Sequence, residues 1–214
     1  MKICGVRTRA GARACAAAGA DFAGLNFVRG VCREVGEEVA VELLPLLGAV
    51  RPVAVFRDDP IERVEDLAAG LGIRRVQLHG AETPDDCARL RDAGLTVIKA
   101  LTLDDVADAD VLCGYAAAAD VLLIDGRTPG SGRPWNHEAL LQVRRDSGDV
   151  QPGQLAGTPL WLAGGLDADN VARAIAELRP AGVDAATGVE RDGQIDAARV
   201  QAFCRAARAA GGEP

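Results

Sequence analysis

The chain has 214 residues, room for one large domain or two small ones, and its length favours one. Apolar residues make up 49% and charged residues 26%, which sets aside a disordered chain, and an aromatic share of 3% argues against a base-stacking nucleic-acid platform. The formal charge of −7 is wrong for a surface that seeks phosphate backbones or anionic lipid, although it leaves room for a local cationic site for one small anion. In chain order, short apolar runs alternate with longer stretches of helical spacing. The runs are Lys2 to Cys4, Phe22 to Phe27, Pro52 to Phe56, Arg75 to Leu78, Thr96 to Leu101, Val121 to Ile124, Leu160 to Ala163 and Gly182 to Ala185. Ile61, Val64, Leu67, Ala68 and Leu71 share one helix face, as do Val171, Ala174, Ile175 and Leu178, and then Val200, Phe203, Cys204 and Ala207.

Eight strand-then-helix units without a break in composition predict an α/β fold, a single (β/α)8 TIM barrel of parallel strands over residues 1–210 with a flexible tail at 211–214. A doubly wound open sheet competes, but no GxGxxG turn follows the first strand. The Gly- and Pro-containing stretch from Asp146 to Thr158 is expected as a surface loop on the barrel's stability face. Six scattered cysteines form no CxxC pair, and His79 and His137 are the only histidines, so no zinc site is expected. ACAAAGA is too short for a secretory h-region and no 18 apolar residues run together, so the expectation is a cytoplasmic protein with reduced thiols and no membrane contact.

Chemistry in such a barrel sits at the C-terminal ends of the strands. Cys4 ends the first run, Arg33 lies in the loop after the second, His79 follows the fourth and Asp125 follows the sixth. Gly164 and Gly165 follow the seventh, and Thr187 and Gly188 the eighth. Glycines there let backbone amides approach an anion, and a helix opening near Asp167 to Val171 would add its dipole, which points to phosphate; otherwise they only permit tight turns. Cys4 is a general base if its pKa is lowered, or a small buried hydrophobe. Asp125, directly after the apolar run VLLI, needs a partner or a role, and general acid is the role a barrel mouth offers. Arg33 has the planar fork that binds a carboxylate and reads otherwise as a solvated charge. His79 reads equally as a ligand contact or as a hydrogen-bonded structural histidine.

Eight markers in this order resemble the phosphoribosylanthranilate isomerase family over nearly the whole chain: KICG, GADFAGLNF, VAVF, VQLHG, LLID, GSG, LAGGLDADNV and GVDAATGVE. The resemblance implies a (β/α)8 barrel that carries out an Amadori rearrangement of N-(5′-phosphoribosyl)anthranilate without metal or organic cofactor. It implies Cys4 as general base, Asp125 as general acid and Arg33 on the anthranilate carboxylate. Gly164, Gly165, Thr187 and Gly188 become the phosphate cradle, with His79 and Asp184 also binding substrate. The implied partner is a small phosphorylated substrate, with no nucleic acid and no membrane, and a monomeric or homodimeric chain. The chain departs from the family in GVCREV before Arg33, which puts Cys32 close to the site. It departs again in ATGVE for the common SSGVE, and in the short loop GRTPGSGRPWNH, where Trp135, Asn136 and His137 replace the usual residues. Those changes keep acid, base and glycines and bear on the arylamine. Two other readings share the barrel: an isomerase of another N-ribosyl arylamine, and a non-catalytic barrel that binds a phosphorylated metabolite. Cys4 argues against the histidine-pathway relative, which uses a carboxylate pair.

Overall fold

The structure, a computed structural model, describes residues 1–126, 137–146 and 151–211. Eight strands are parallel throughout: β1 (Lys2–Cys4), β2 (Phe22–Asn26), β3 (Arg51–Phe56), β4 (Arg75–Leu78), β5 (Thr96–Thr102), β6 (Val121–Asp125), β7 (Thr158–Ala163) and β8 (Gly182–Ala185). Their order is β6-β5-β4-β3-β2-β1-β8-β7, and the pairing of Leu122–Asp125 with Leu160–Ala163 closes the barrel. The helices are α1 (Arg9–Ala18), α2 (Glu37–Leu43), α3 (Ile61–Leu71), α4 (Pro84–Asp92), α5 (Leu103–Ala107), α6 (Ala109–Ala118), α7 (His137–Asp146), α8 (Val171–Leu178) and α9 (Ala197–Gly211). Short polar side chains start several of them. Thr8 accepts from the Gly11 amide at the head of α1, and Thr83 with Asp86 and Thr102 with Asp105 form capping boxes on α4 and α5.

The strands are nearly continuous apolar runs because both of their faces are buried. Ala23, Leu25, Val76, Leu78, Val97, Leu101, Leu122 and Ile124 pack in the layer beneath the helices. The alternate positions Val53, Ile98, Ala100, Leu123, Trp161 and Ala163 fill the barrel interior. The Phe22 and Trp161 rings lie 4.9 Å apart and are tilted by 50°, and the Arg51 guanidinium covers Phe22 at 3.9 Å. The interior is lopsided. Its apolar cluster comes from β3, β5, β6 and β7, whereas β1, β4 and β8 contribute the buried polar side chains Lys2, Gln77 and Asp184.

The expected strands and helix faces agree with this architecture to within a residue or two at the ends. The helix expected to open near Asp167 to Val171 begins at Val171. Two features differ from or extend the expectations. The stretch after α7 is not a plain loop: Gln154–Leu155 pairs antiparallel with Thr158–Pro159 and buries Leu155, while 147–150 lie outside the described residues. Gly211 is the last residue of α9, and the rest of the expected tail, 212–214, is outside the described residues.

Trp161 fits inside only because its neighbour on β8 has no side chain: a Cβ at Gly182 would lie 2.7 Å from the indole Nε1. Gly182→Ala should therefore destabilise by about 1–3 kcal/mol in urea melts, as overpacking of a tight interior does. A variant within about 0.5 kcal/mol of the parent would show that the ring is not held in place there.

Candidate active site

Period-two alternation decides which side chains meet at the mouth. On β1, Lys2 and Cys4 point inward, one above the other. Lys2 is fully buried, and its Nζ lies 2.9 Å from Asp184 Oδ2, on the residue that faces it in the β1–β8 register. Burial alone would push the Lys2 amine down, but the Asp184 carboxylate and the Cys4 sulfur outweigh it and the pKa is raised. Burial pushes the Cys4 thiol up, and the hydrogen-bonded Lys2 ammonium works against that shift. Space for both is cleared by β2, since a Cβ at Gly24 would sit 2.9 Å from Cys4 Sγ and 3.3 Å from Lys2 Cε. Asp184 Oδ1 is buried with no hydrogen-bond partner among the described residues.

Asp125 ends β6, three strands from Cys4 around the barrel, so base and acid candidates stand on non-adjacent strands of one mouth. Between them on the other side, His79 continues β4, its amide bonded to Phe56 O at 2.9 Å. Its Nε2 lies 3.8 Å from Asp125 Oδ2, and its Nδ1 lies 2.9 Å from Gln77 Nε2. Burial lowers the His79 pKa, with Asp125 pulling the other way, so the ring is neutral near pH 7. With Gln77 donating to Nδ1, the ring proton sits on Nε2, the nitrogen that faces Asp125. Gln77 is itself fully buried, and its Oε1 has no partner among the described residues. His79 is thus both hydrogen-bonded structurally and presented to the site.

Arg33 is already engaged. Its Nε and Nη2 make 2.7 Å and 2.6 Å bonds to the two carboxylate oxygens of Glu190, and Nη2 lies 3.2 Å from Thr187 Oγ1. This two-pronged contact keeps the guanidinium charged and fixes its plane, leaving Nη1 as the donor not engaged by Glu190. Cys32 beside it is exposed, and its carbonyl accepts from Arg7.

The glycine loops lie side by side. Gly164 and Gly165 take φ of +94° and +72°, open to glycine, and a Cβ at Gly188 would collide with the Leu166 carbonyl. Packing alone therefore requires Gly188. The start of α8 is capped internally: Asp167 Oδ1 accepts from the amides of Asp169 (2.9 Å) and Asn170 (3.0 Å), and the Asp167 carbonyl accepts from the Val171 amide at 3.1 Å. An anion there meets other donors. The amides of Gly165, Thr187 and Gly188 bond to nothing among the described residues, and the last two open a short 3₁₀ turn, Thr187–Val189.

Of the residues singled out from the sequence, Cys4, His79, Asp125, Asp184, Thr187 and the glycines gather at one end of the barrel with Arg33. Lys2, Gln77 and Glu190 also belong there and were not singled out. The available signal was position: Lys2 and Gln77 stand two residues before Cys4 and His79 on strands whose other faces are apolar. The loop beyond Asp125, with Trp135 and Asn136, lies outside the described residues, as does the His137 side chain. No cluster of three or more His, Cys, Asp or Glu among the described residues is placed to hold a metal, and no helix among them is long and apolar enough to cross a membrane.

Barrel, acid and base candidates and anion-receptive loops define a (β/α)8-barrel enzyme of small phosphorylated molecules. Comparison with known proteins makes this particular. A family model described as N-(5′-phosphoribosyl)anthranilate isomerase matches residues 1–206. The N-(5′-phosphoribosyl)anthranilate isomerase of Roseiflexus castenholzii is 36% identical over 224 residues, covering 98% of each chain. The crystal structure of the Thermotoga maritima enzyme superposes with a TM-score of 0.82 at 30% identity, covering 96% of this chain and 97% of that one. A phosphoribosyl anthranilate isomerase in complex with reduced 1-(o-carboxyphenylamino)-1-deoxyribulose 5-phosphate superposes with a TM-score of 0.79 at 28% identity over 96% of both chains. The chain belongs to the N-(5′-phosphoribosyl)anthranilate isomerase family.

Lys2→Met would leave Asp184 buried without its counter-charge, and urea melts should show a loss of about 3–5 kcal/mol. Lys2→Met combined with Asp184→Leu should recover much of it. A single variant as stable as the parent would mean the pair is solvated rather than sealed.

Proposed function

We propose that the chain catalyses the Amadori rearrangement of N-(5′-phosphoribosyl)anthranilate to 1-(2-carboxyphenylamino)-1-deoxyribulose 5-phosphate in tryptophan biosynthesis, without metal or organic cofactor. A single domain, residues 1–210, carries the activity in the cytoplasm, and its partners are the small phosphorylated substrate and at most a second copy of the chain. The observation that carries this reading is the placement of a thiol and a carboxyl at the ends of β1 and β6, beside loops whose unbonded amides suit a phosphate.

Asp125 protonates the furanose ring oxygen, the C1′–O bond breaks, and the nitrogen lone pair forms the iminium. The Cys4 thiolate then removes the C2′ proton, and the electron pair neutralises the iminium to an enolaminol. That species gains a proton at C1′ and loses its C2′ hydroxyl proton, a transfer that returns thiol and carboxyl to their starting forms. Lys2 favours the thiolate as a fixed positive charge beneath it. Asp184 Oδ1, a buried acceptor without a donor among the described residues, suits a ribose hydroxyl. His79 presents its Nε2 proton between Asp125 and the substrate, and Arg33, oriented by Glu190, offers Nη1 to the anthranilate carboxylate. Gly164, Gly165, Thr187 and Gly188 receive the phosphate.

In a continuous assay that generates the substrate in situ and follows loss of its fluorescence, Cys4→Ser and Asp125→Asn should each lower kcat by about 10²–10⁴-fold while a ribose-phosphate analogue still binds. Full activity in either variant would sink the assignment. Arg33→Ala should act mainly by raising KM for the carboxylated substrate; equal handling of a carboxylate-free analogue by parent and variant would remove the carboxylate role.

A further inference from the structure

A second buried ion pair lies outside the barrel wall, on the far side of the strand from the site. Ile98 and Ala100 of β5 point into the barrel, so Lys99 between them points out under the helices, where it is 1% exposed. Its Nζ lies 2.8 Å from Glu82 Oε2 and 2.6 Å from the Gly80 carbonyl, with the Tyr115 ring centroid 5.4 Å away. Glu82 is used to capacity. Oε2 also accepts the Gly80 amide at 2.9 Å, Oε1 accepts the Asp58 amide at 2.8 Å, and its backbone carbonyl accepts Tyr115 Oη at 2.9 Å. Asp58, held at φ +56°, accepts the Ala81 amide at 2.7 Å, and any side chain at Gly80 would collide with it. Both polar backbone groups of Gly80 are therefore captured, together with the amide of Ala81 and the carbonyl of Glu82.

Gly80 is the residue after His79. A sealed lysine–glutamate pair is a poor way to gain stability, since desolvation cancels most of its attraction, but it accepts only one arrangement of its partners. The arrangement it enforces is the exit of β4, which sets where the imidazole stands relative to Asp125. We infer that Lys99 and Glu82 are positioning residues for His79, holding the peptide behind it so that Nε2 faces the general acid. This rests on the reaction assigned above, in which His79 touches the substrate. Neither Lys99 nor Glu82 bonds the imidazole; the pair acts through the peptide that follows it, and the Lys99 charge adds to burial in lowering the His79 pKa.

The test is the neutral pair Lys99→Met/Glu82→Gln, which keeps the side-chain lengths and removes both charges. It should lower kcat about tenfold with KM changed by less than about twofold, as misplacement of one active-site group does. In a His79→Asn background the same replacement should cost little more, because the group it positions is gone. An additive loss in that background, or an unchanged kcat in the pair variant, overturns the inference. A second readout needs no turnover. The chain has two histidines, so long-range proton–nitrogen spectra should show His79 as one Nε2–H tautomer in the native chain and a mixture in the pair variant; one unchanged tautomer in both overturns it. Loss of the tautomer in the pair variant, when the native chain keeps it but shows no isomerase activity, would fault the reaction and leave the positioning intact. Should the pair variant not fold, Tyr115→Phe, which removes only the bond to the Glu82 carbonyl, takes its place in the same cycle with an expected loss of about threefold, judged in the same way.

Discussion

Everything at the mouth stands on the contact between Lys2 and Asp184. An ammonium and a carboxylate inside a barrel cannot be left apart, because each alone would bear the full cost of desolvation. The pair is satisfied only if β1 lies beside β8 with Lys2 opposite Asp184, so the first and last strands are locked in register by electrostatics as well as by backbone bonds. That requirement propagates upward. With Lys2 fixed, Cys4 must emerge two residues higher on the same side, and Gly24 on β2 must lack a side chain for either to fit. It propagates sideways too, because the polar half of the interior leaves the opposite half to be filled by apolar side chains around Trp161.

The same two-level logic recurs. Gln77 lies below His79 and bonds its ring as Lys2 lies below Cys4 and bonds its sulfur. In each case a buried polar residue in the barrel carries a reactive one at its rim, so the rim is positioned by strands rather than by loops. Strand-borne groups vary little in position. The outer pair, Lys99 with Glu82, extends the arrangement through the wall, gripping the backbone where β4 turns outward. Two sealed ion pairs serve two different groups, one from inside and one from outside the sheet.

The strands were legible because a parallel barrel buries both faces of every strand, and eight apolar runs of three to six residues announce themselves. The helix faces were legible for the same reason at their own period. Cys4, His79 and Asp125 stood out as polar or reactive residues at the ends of those runs. Lys2 and Gln77 did not, since a polar residue inside an apolar run reads as an interruption until the opposite strand shows what it meets. Glu190 was hidden by distance, as it lies 157 positions from the arginine it grips. The start of α8 was legible within Asp167 to Val171, and the Asp167 side chain accepts the first free amides there.

An acidic chain that takes a substrate bearing both a phosphate and a carboxylate poses an electrostatic problem, and the described residues of the site answer it with balanced charges. Arg33, whose Nη2 lies 3.2 Å from Thr187 Oγ1 in the eighth-strand loop, has its charge largely balanced by Glu190, so in the role proposed for it donor geometry counts for more than field. Lys2 is balanced by Asp184. The donors left over among the described residues are backbone amides of the glycine loops, which carry no net charge and do not titrate. A mouth built this way attracts its substrate weakly at long range and holds it at short range. Its affinity should therefore depend on how well the two glycine loops stay packed against each other, which is where the close contact of Gly188 on Leu166 acts.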